Sequence, residues 1–293
     1  MSDAAQFDKR LLRRSFERAA QSYDAAAVLQ HEVCRRMDER LDLIKHQPQT
    51  ILDAGSGTGN ALAALRARYP KARVIALDLA LGMLQRGREK SMGPWWKAIL
   101  NQKVTSICGD IEHLPLKARS VDLVWSNLAL QWMNDPDKAF AEFHRVLAPG
   151  GLLLFSTFGP DTLKELRSAY AGVDQHTHVS RFIDLHDIGD ILVKHGFGDP
   201  VMDMEPFTLT YDDARAVMRD LKAIGAHNVT ETRPPGLTGR ARLAAVTAAY
   251  ETFRRDGKLP ATFEVVYGHA WKPLPRVTAS GKKIIDIKAV GKA

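Results

Sequence analysis

Three glycines at alternate positions follow an apolar run in the segment ILDAGSGTGNALA, residues 51–63. The apolar run is typical of a buried strand, and the residues after the glycines have the spacing of a helix. A strand, a glycine turn and a helix N-terminus together make a ligand site at the carboxyl edge of a parallel sheet. The segment therefore predicts an α/β fold that binds a ligand at this turn.

The chain after this segment alternates between strand and helix patterns. Apolar, partly β-branched runs predict strands at 50–54, 73–77, 103–108, 121–125 and 152–155. Helices are predicted between them at 60–69 and 135–147, and Gly150 with Gly151 is predicted to turn the chain into the fifth strand. Near-continuous apolar strands separated by helices favour a Rossmann-like parallel sheet that is covered by helices on both faces.

The flanking regions have mainly helical patterns. Apolar spacing predicts a helical segment at 8–46, helices at 161–170, 184–195, 212–224 and 239–256, and strands at 201–210 and 262–271. Asp184 and Asp212 are the expected N-caps of the helices at 184–195 and 212–224. We expect an N-terminal helical lid at 1–48, a ligand-binding Rossmann-like core at 49–158, a helical insertion acting as a substrate cap at 159–200, the remainder of the core at 201–272 and a basic, flexible tail at 273–293.

Composition narrows the class of protein. Cys34 and Cys108 form no CxxC pair or cluster with histidine, which argues against a disulfide framework and a structural zinc site. No signal peptide or membrane-length apolar run is evident, so a cytoplasmic protein without a membrane partner is expected. The net charge of +7 fits either solubility alone or an acidic partner, which could be a nucleic acid or a protein.

The glycine turn departs from the dinucleotide pattern GxGxxG. Gly55, Gly57 and Gly59 form GxGxG, and Asp53 stands directly before the loop. An acid at that position would repel a pyrophosphate, whereas it suits a ligand that carries an ammonium group. The turn therefore favours S-adenosylmethionine (SAM) over NAD.

Two more acids fit the same ligand. Asp78 ends the second predicted strand, where a carboxylate can accept both ribose hydroxyls, and Asp110 follows the third, where it can take the adenine amino group. Ile111 can pack against the adenine ring. The alternative reading is that these acids only cap helices, but acids at the ends of three successive strands favour SAM.

The segments DAGSGTG, ALDLALGML, GDIEHLP and VWSNLALQW, in that order, resemble class I SAM-dependent methyltransferases. Ser56 stands where many relatives have cysteine, which changes little because the backbone makes the contact. The resemblance implies that SAM is held by Asp53, Gly55, Ser56, Gly57, Gly59, Asp78, Leu79, Met83, Asp110, Ile111, Asn127 and Leu128.

Several methyltransferase classes do not fit. Enzymes that methylate exocyclic amines of bases have two prolines after the fourth strand, where this chain reads SNLALQWM. Neither cysteine stands where cytosine-C5 enzymes need a nucleophile, and no catechol-type metal cluster of acids can be assembled. A nucleic-acid substrate and a metal are therefore not expected.

Segments across nearly the whole chain carry a more specific resemblance. RRSFERAAQSYD, SNLALQW, FGPDTLKELR, HVSRFID and MRDLKAIGAHN resemble the malonyl-[acyl-carrier protein] O-methyltransferases of biotin synthesis. The resemblance implies methylation of the free carboxylate of a malonyl thioester, carried by an acidic acyl-carrier protein or by coenzyme A. The alternatives are a SAM-binding protein-arginine hydroxylase of respiratory-complex assembly, a quinone-type small-molecule methyltransferase and a SAM-binding scaffold without catalysis.

This reaction needs no general base, because a carboxylate is already ionised at neutral pH. The site has to align the reactants, exclude water and hold the anion with a basic side chain. The candidates for that contact are Arg145, Arg181, Arg219 and Lys222. Arg215, Arg219 and Lys222 form a stripe on one predicted helix, opposite Val217, Leu221 and Ile224, which are expected in the core. The stripe fits a substrate or carrier-protein contact, or a merely solvated helix face.

Three further residues are placed near the expected reaction centre. Tyr23 is predicted to cover the methionine end of SAM as part of a lid at 8–30, with ordinary helix packing as the alternative. Gln131 and Trp132 follow the fourth strand and are expected to line the mouth through which the methyl group passes, although Trp132 also fits the core. His176 and His178 are interpreted as loop histidines without a role in the site.

Overall fold

The structure is a computed structural model that describes residues 6–91, 104–174, 176–180, 182–226 and 239–275. Its strands are β1 (Thr50–Ala54), β2 (Arg73–Asp78), β3 (Val104–Cys108), β4 (Val121–Ser126), β5 (Leu147–Phe158), β6 (Gly198–Tyr211) and β7 (Leu259–Trp271). Its helices are α1 (Lys9–Ala19), α2 (Tyr23–Ala26), α3 (Val28–Arg40), α4 (Leu62–Arg68), α5 (Leu81–Ser91), α6 (Pro136–Val146), α7 (Lys164–Ala171), α8 (Leu185–Lys194), α9 (Ala214–Ala223) and α10 (Arg240–Glu251). None of these described helices is long and apolar enough to cross a membrane.

The strands form one seven-stranded sheet in the order β3-β2-β1-β4-β5-β7-β6. Strands β1 to β5 pair with one another in parallel, as predicted. Strand β7 lies between β5 and β6 and is antiparallel to both, so the sheet is mixed rather than wholly parallel. The strand order reverses between β1 and β4, and a crevice at such a switch point is where open α/β sheets bind ligands.

Apolar side chains cover both faces of the sheet. On one face, Ile51 and Trp125 are buried with residues of α3, α4, α7, α9 and α10. On the other face, Leu52 and Val124 are buried with Phe140 and Phe143 of α6 and with residues of α8. Neighbouring residues of one strand point to opposite faces, so the nearly continuous apolar runs that predicted buried strands supply both cores.

Several predicted boundaries are wrong in detail. The helical segment predicted at 8–46 is interrupted by a turn at 20–22 and by Ala27, and it ends in a short 3-10 turn at Leu41–Leu43. The cap of α9 is Asp213, whose side chain accepts the Ala216 N–H, whereas Asp212 pairs with Lys258. Helix α10 ends at Glu251, and the predicted tail lies outside the described residues beyond position 275.

The fifth strand begins earlier than predicted. Leu147 already pairs with Val121, and the next pair in the register is Leu152 with Leu123. The intervening residues of β5, which include both glycines, form an irregularity within the strand instead of a turn that precedes it. Gly150 donates its N–H to the Lys272 carbonyl at 2.7 Å, so the backbone freed from β4 bonds to the segment after β7.

The insertion after β5 is anchored on β7. Glu264 of β7 accepts the Asp161 N–H through its side chain at 2.7 Å, and Leu163 donates its N–H to the Thr262 carbonyl at 2.6 Å. Helix α8 is capped by Asp184, as predicted, and ends before Gly196. These contacts hold the insertion against the carboxyl ends of the central strands.

Candidate functional site

The glycine turn between β1 and α4 is held against β2. Gly55 and Ser56 both donate their N–H groups to the Leu77 carbonyl, at 2.8 and 2.9 Å. Gly55 has φ +80°, and a Cβ added there would lie 2.3 Å from the Cβ of Ala129. Gly57 has φ +53°, and a Cβ there would meet nothing within 4 Å. The turn is thus closely packed at its base and open at Gly57.

Two carboxylates lie at this turn without a positive partner. Asp53 is 2% exposed and accepts a hydrogen bond from the Ser56 hydroxyl at 2.7 Å. Asp78 accepts the N–H groups of Gly57 and Ala80, each at 2.8 Å. Burial raises the pKa of Asp53 to about 7 and that of Asp78 to about 6. Within the described chain neither acid forms a salt bridge, so the turn favours a cationic ligand.

A cleft of about 610 Å³ opens over the turn, and we call it the turn cleft. Most of the predicted cofactor positions line it, namely Gly55, Gly57, Asp78, Leu79, Met83, Asp110, Ile111, Asn127 and Leu128. Asp53, Ser56 and Gly59 are not among its lining residues; Asp53 and Ser56 are buried behind the turn. Leu12 and Phe16 of α1 complete the cleft, and sequence reasoning had not singled them out for this site.

The N-terminal helices are tied over the turn cleft by polar contacts. The Lys9 ammonium lies 3.2 Å from a carboxylate oxygen of Asp110. Glu17 accepts the Leu81 N–H at 2.8 Å and thereby binds the first turn of α5. Asp24 pairs with Lys90 of α5 at 2.8 Å. Because of these contacts α1 and α2 lie as a cover on the cleft, with Tyr23 on its inner side.

A second pocket, which we call the cap chamber, lies next to the turn cleft and has a volume of about 790 Å³. The two share Phe16, Tyr23, Leu128 and Trp132, which we call the shared wall. Trp132 packs edge-on against Phe16 with 5.4 Å between the ring centroids. Leu128 has φ +47°, and such strain in a non-glycine residue is found mainly at functional sites. The shared wall is therefore where ligands in the two pockets would meet.

The cap chamber is mainly apolar and is assembled from distant parts of the chain. Its lining includes Phe158, Leu163, Leu166, Val179, Phe182, Leu221, Ile224 and Phe263. Leu221 and Ile224 were predicted in the core; both are half-buried and line this chamber, and Leu221 also packs against the core that contains the buried Val217. Gln131 also lines the chamber, and its side-chain amide donates to the Leu128 carbonyl at 2.6 Å.

The predicted basic residues do not line the cap chamber where the structure describes them. Arg145 is held by Glu142 and by the carbonyls of Leu114 and Leu116, so its guanidinium fixes the loop after β3 instead of facing the site. Arg219 and Lys222 are exposed on α9 and line neither pocket, and Arg181 lies outside the described residues.

His178 lines the cap chamber, although its sequence context suggested an ordinary loop residue. Its Nε2 lies 2.8 Å from a carboxylate oxygen of Asp174, and its ring stacks on Tyr170 with 3.7 Å between centroids. His178 begins the segment HVSRFID, but that resemblance gave it no role, because the chamber exists only once the insertion has folded onto β7 and α9. The i, i+4 spacing of Asp174 and His178 was a further local signal.

Comparisons with known proteins agree with this geometry. Residues 52–155 match the family of methyltransferase domains. The chain is 59% identical over 279 residues to a malonyl-[acyl-carrier protein] O-methyltransferase of Gallionella capsiferriformans, covering 95% of this chain and 96% of the relative. A protein of the same name from Methylovorus sp. is 60% identical, with 94% and 93% covered.

Solved structures resemble the fold at much lower identity. A methyltransferase-like protein of Bacillus halodurans superposes with a TM-score of 0.57 at 18% identity, covering 82% of this chain and 98% of that one. A phosphoethanolamine N-methyltransferase of Haemonchus contortus, in complex with SAM, gives a TM-score of 0.53 at 20% identity, covering 88% of this chain and 57% of that one. These likenesses confirm the predicted class I methyltransferase fold.

Proposed function

The chain belongs to the malonyl-[acyl-carrier protein] O-methyltransferase family, and we propose that it transfers a methyl group from SAM to the free carboxylate of a malonyl thioester. The product is the methyl ester, and the reaction is an early step of biotin synthesis. The observation that carries this assignment is the shared wall, because a donor in the turn cleft and an acid in the cap chamber would meet there.

The residues of the turn cleft fit SAM. The two acids at the turn, Asp53 buried and Asp78 partly buried, have no described cationic partner and suit a ligand that carries a sulfonium and an ammonium group. We propose that Asp78 accepts the ribose hydroxyls, that Asp110 and Ile111 hold the adenine, and that Asp53 acts by its charge from behind the turn. When bound, SAM supplies an electrophilic methyl group.

The protein aligns the malonyl carboxylate with the methyl group of SAM and keeps water away from both. A malonyl carboxylate is ionised at neutral pH, so no side chain has to remove a proton. Attack of an anion on a cation removes charge, and the apolar cap chamber favours that change because it keeps water away. Burial raises the pKa of Tyr23 above its ordinary value, so its phenol stays protonated. We propose that Tyr23 closes the shared wall and that Gln131 stiffens the adjoining backbone.

The same contacts support the proposed division of the chain. Residues 1–48 would act as a lid, since Leu12, Phe16 and Tyr23 lie between solvent and the turn cleft. Residues 159–200 would act as the substrate cap, since they supply Leu163, Leu166 and other walls of the chamber. The strands of the sheet would carry both, and all seven of those described lie within 49–158 and 198–272.

A direct assay tests the function. Purified protein with SAM and malonyl-acyl-carrier protein, or malonyl-CoA, is expected to yield a methyl ester that alkaline hydrolysis releases as methanol. Acetyl thioesters, which have no free carboxylate, serve as the control and should give no methanol. Tight SAM binding without turnover of either malonyl substrate would contradict the assignment and leave the arginine hydroxylase or a quinone methyltransferase as the next candidates.

We expect SAM affinity to fall as the pH is lowered. Protonation of Asp53, with its pKa of about 7, and then of Asp78, with its pKa of about 6, removes the negative charge that favours a cationic ligand. Each protonation should weaken binding by about tenfold per pH unit below the respective pKa. Calorimetric titration between about pH 8 and about pH 5.5 measures this. An affinity independent of pH in that range would refute the role of these acids.

We also propose that an acidic acyl-carrier protein docks beside the cap chamber. Helices α1 and α9 meet there, since Ser15 and Ser22 donate hydrogen bonds to the Gly225 and Ala223 carbonyls at 2.9 and 3.0 Å. The exposed basic residues of the two helices, which we call the basic rim, are Arg10, Arg13, Arg14, Arg18, Arg215, Arg219 and Lys222. Among the described residues only Arg13 of these has an ion-pair partner, Glu17.

Reversing charge on the basic rim should affect only the protein-borne substrate. The double variant Arg18→Glu with Lys222→Glu is expected to raise KM for malonyl-acyl-carrier protein by about tenfold at low salt, because steering and docking depend on charge complementarity. KM for malonyl-pantetheine, which carries no carrier protein, should not change. Lys71→Glu is the matched control, since Lys71 is exposed at the opposite edge of the sheet, before β2. Equal effects on both substrates would disprove the docking surface.

A further inference from the structure

The malonyl carboxylate requires a polar partner in the cap chamber. An anion taken from water into an apolar pocket loses its hydration, and only a charged or hydrogen-bonding partner offsets that loss. Among the described residues, the side chains with polar atoms that line the chamber are those of Tyr23, Gln30, Gln131, Trp132, Thr162, His178 and Ser180. Within the described part of the lining, His178 is the only side chain that can carry a positive charge.

The surroundings of His178 fix which way its ring points. Nε2 faces Asp174 at 2.8 Å, and the Tyr170 ring lies nearly parallel to the imidazole, with 13° between the planes. The side chain of His178 is 11% exposed, and that of Asp174 is 12% exposed. With Nε2 committed to Asp174, Nδ1 is the nitrogen left for a ligand, since the described residues offer it no hydrogen-bond partner.

The surroundings of Asp174 favour its ionised form. Burial raises its pKa, but the hydrogen bonds from the His176 N–H and from His178, together with the charges of His178 and Arg242, more than cancel that effect and leave the pKa below its ordinary value. The Arg242 guanidinium lies 3.4 Å from the second carboxylate oxygen. An ionised acid on Nε2 requires a proton there, and Nδ1 can donate to an anion when the ring carries its second proton.

We propose that His178 binds the free carboxylate of the malonyl group through Nδ1, with Asp174 and Tyr170 as positioning residues that hold the ring. This inference rests on the proposed function and assigns the anion contact to His178, since Arg145, Arg219 and Lys222 do not line the chamber and Arg181 lies outside the described residues. The charge on His178 would stabilise the bound anion, and its location in the cap insertion would leave the attacking oxygen directed toward the shared wall.

The test is a comparison of two neighbouring histidines. His178→Leu is expected to raise KM for malonyl-CoA and for malonyl-acyl-carrier protein by at least about tenfold, because the anion loses its partner. Affinity for SAM should stay unchanged, since His178 does not line the turn cleft. His176→Leu is the matched control, because His176 is exposed and contacts Asp174 through its backbone N–H only. That control should behave as wild type.

A second measurement separates charge recognition from a general loss of packing. The wild type should bind malonyl-CoA more tightly than its methyl ester, and His178→Leu should bind both alike. His178→Gln, which keeps a neutral donor, should lie between the two. If the wild type methylates malonyl thioesters and His178→Leu keeps its KM and its preference for the free acid, this inference is wrong while the proposed function stands. If the wild type does not turn over, the proposed function fails first.

Discussion

Replacement of Asp78 by asparagine is expected to weaken SAM binding by about a hundredfold or more and to leave the protein folded. Both carboxylate oxygens of Asp78 accept backbone N–H groups, from Gly57 and from Ala80. Asparagine offers one acceptor and sets its NH2 group against a backbone donor, so the turn is distorted at the point where it opens to the cofactor. The substitution also removes a negative charge beside a cationic ligand. Titration calorimetry measures the affinity, and circular dichroism checks the fold.

The matched control for this prediction is Asp122→Asn. Asp122 accepts the N–H groups of Gln49 and Thr50 through one carboxylate oxygen, each at 2.9 Å, at the opposite edge of the same sheet. The substitution removes the same charge, but asparagine can still accept both N–H groups through its one amide oxygen, and the position lies far from the turn cleft, so SAM affinity should stay close to wild type. Equal losses in the two variants would mean that affinity follows general stability, and the specific role of Asp78 would be lost.

The turn cleft was predictable because its determinants are local in sequence. Gly55 and Gly57 directly follow a strand pattern, and Asp78 and Asp110 follow two others, so parallel pairing alone brings them to one edge. The N-terminal cover was predictable through Tyr23 only by resemblance. Leu12 and Phe16 had apolar spacing that fits any helix, and nothing in that spacing says which surface the helix covers.

The cap chamber could not be derived in the same way. It brings Phe158, Leu166, His178, Leu221 and Phe263 together from segments that are far apart in the chain. The position of β7 between β5 and β6 decides which residues of the insertion face the site, and strand order leaves no periodic trace in sequence. The sequence shows whether a residue is apolar or polar, but it does not show whether that residue lines a pocket.

Arg145 and His178 show why residue type alone does not tell which side chains line the cap chamber. Arginine is the usual choice for a carboxylate, but Arg145 stands three residues after Glu142 on α6 and is bound by it, as well as by two backbone carbonyls. A long side chain takes the nearest acceptors it can reach. His178 has a short, stiff side chain whose partner, Asp174, directs it into the chamber instead of satisfying it fully.

Two glycine substitutions should separate the stability of the turn from its ability to bind the cofactor. Gly55→Ala is expected to lower Tm by about 10 °C or more, because its Cβ would lie 2.3 Å from that of Ala129 and its φ of +80° is unfavourable for alanine. Gly57→Ala meets no atom within 4 Å and carries only the backbone strain, about 1 kcal/mol. Its Tm should fall by only about 2–4 °C.

Gly57→Ala should lose SAM affinity although it loses little thermal stability. Gly57 lines the turn cleft, so an added methyl group occupies space where the cofactor would approach bare backbone, and we expect SAM affinity to fall by at least about tenfold in a folded protein. Thermal unfolding with and without SAM measures both effects at once, because a bound ligand raises Tm. Wild-type stabilisation of Gly57→Ala by SAM would mean that the cofactor does not approach the turn at Gly57, and the ligand assignment of the whole cleft would have to be revised.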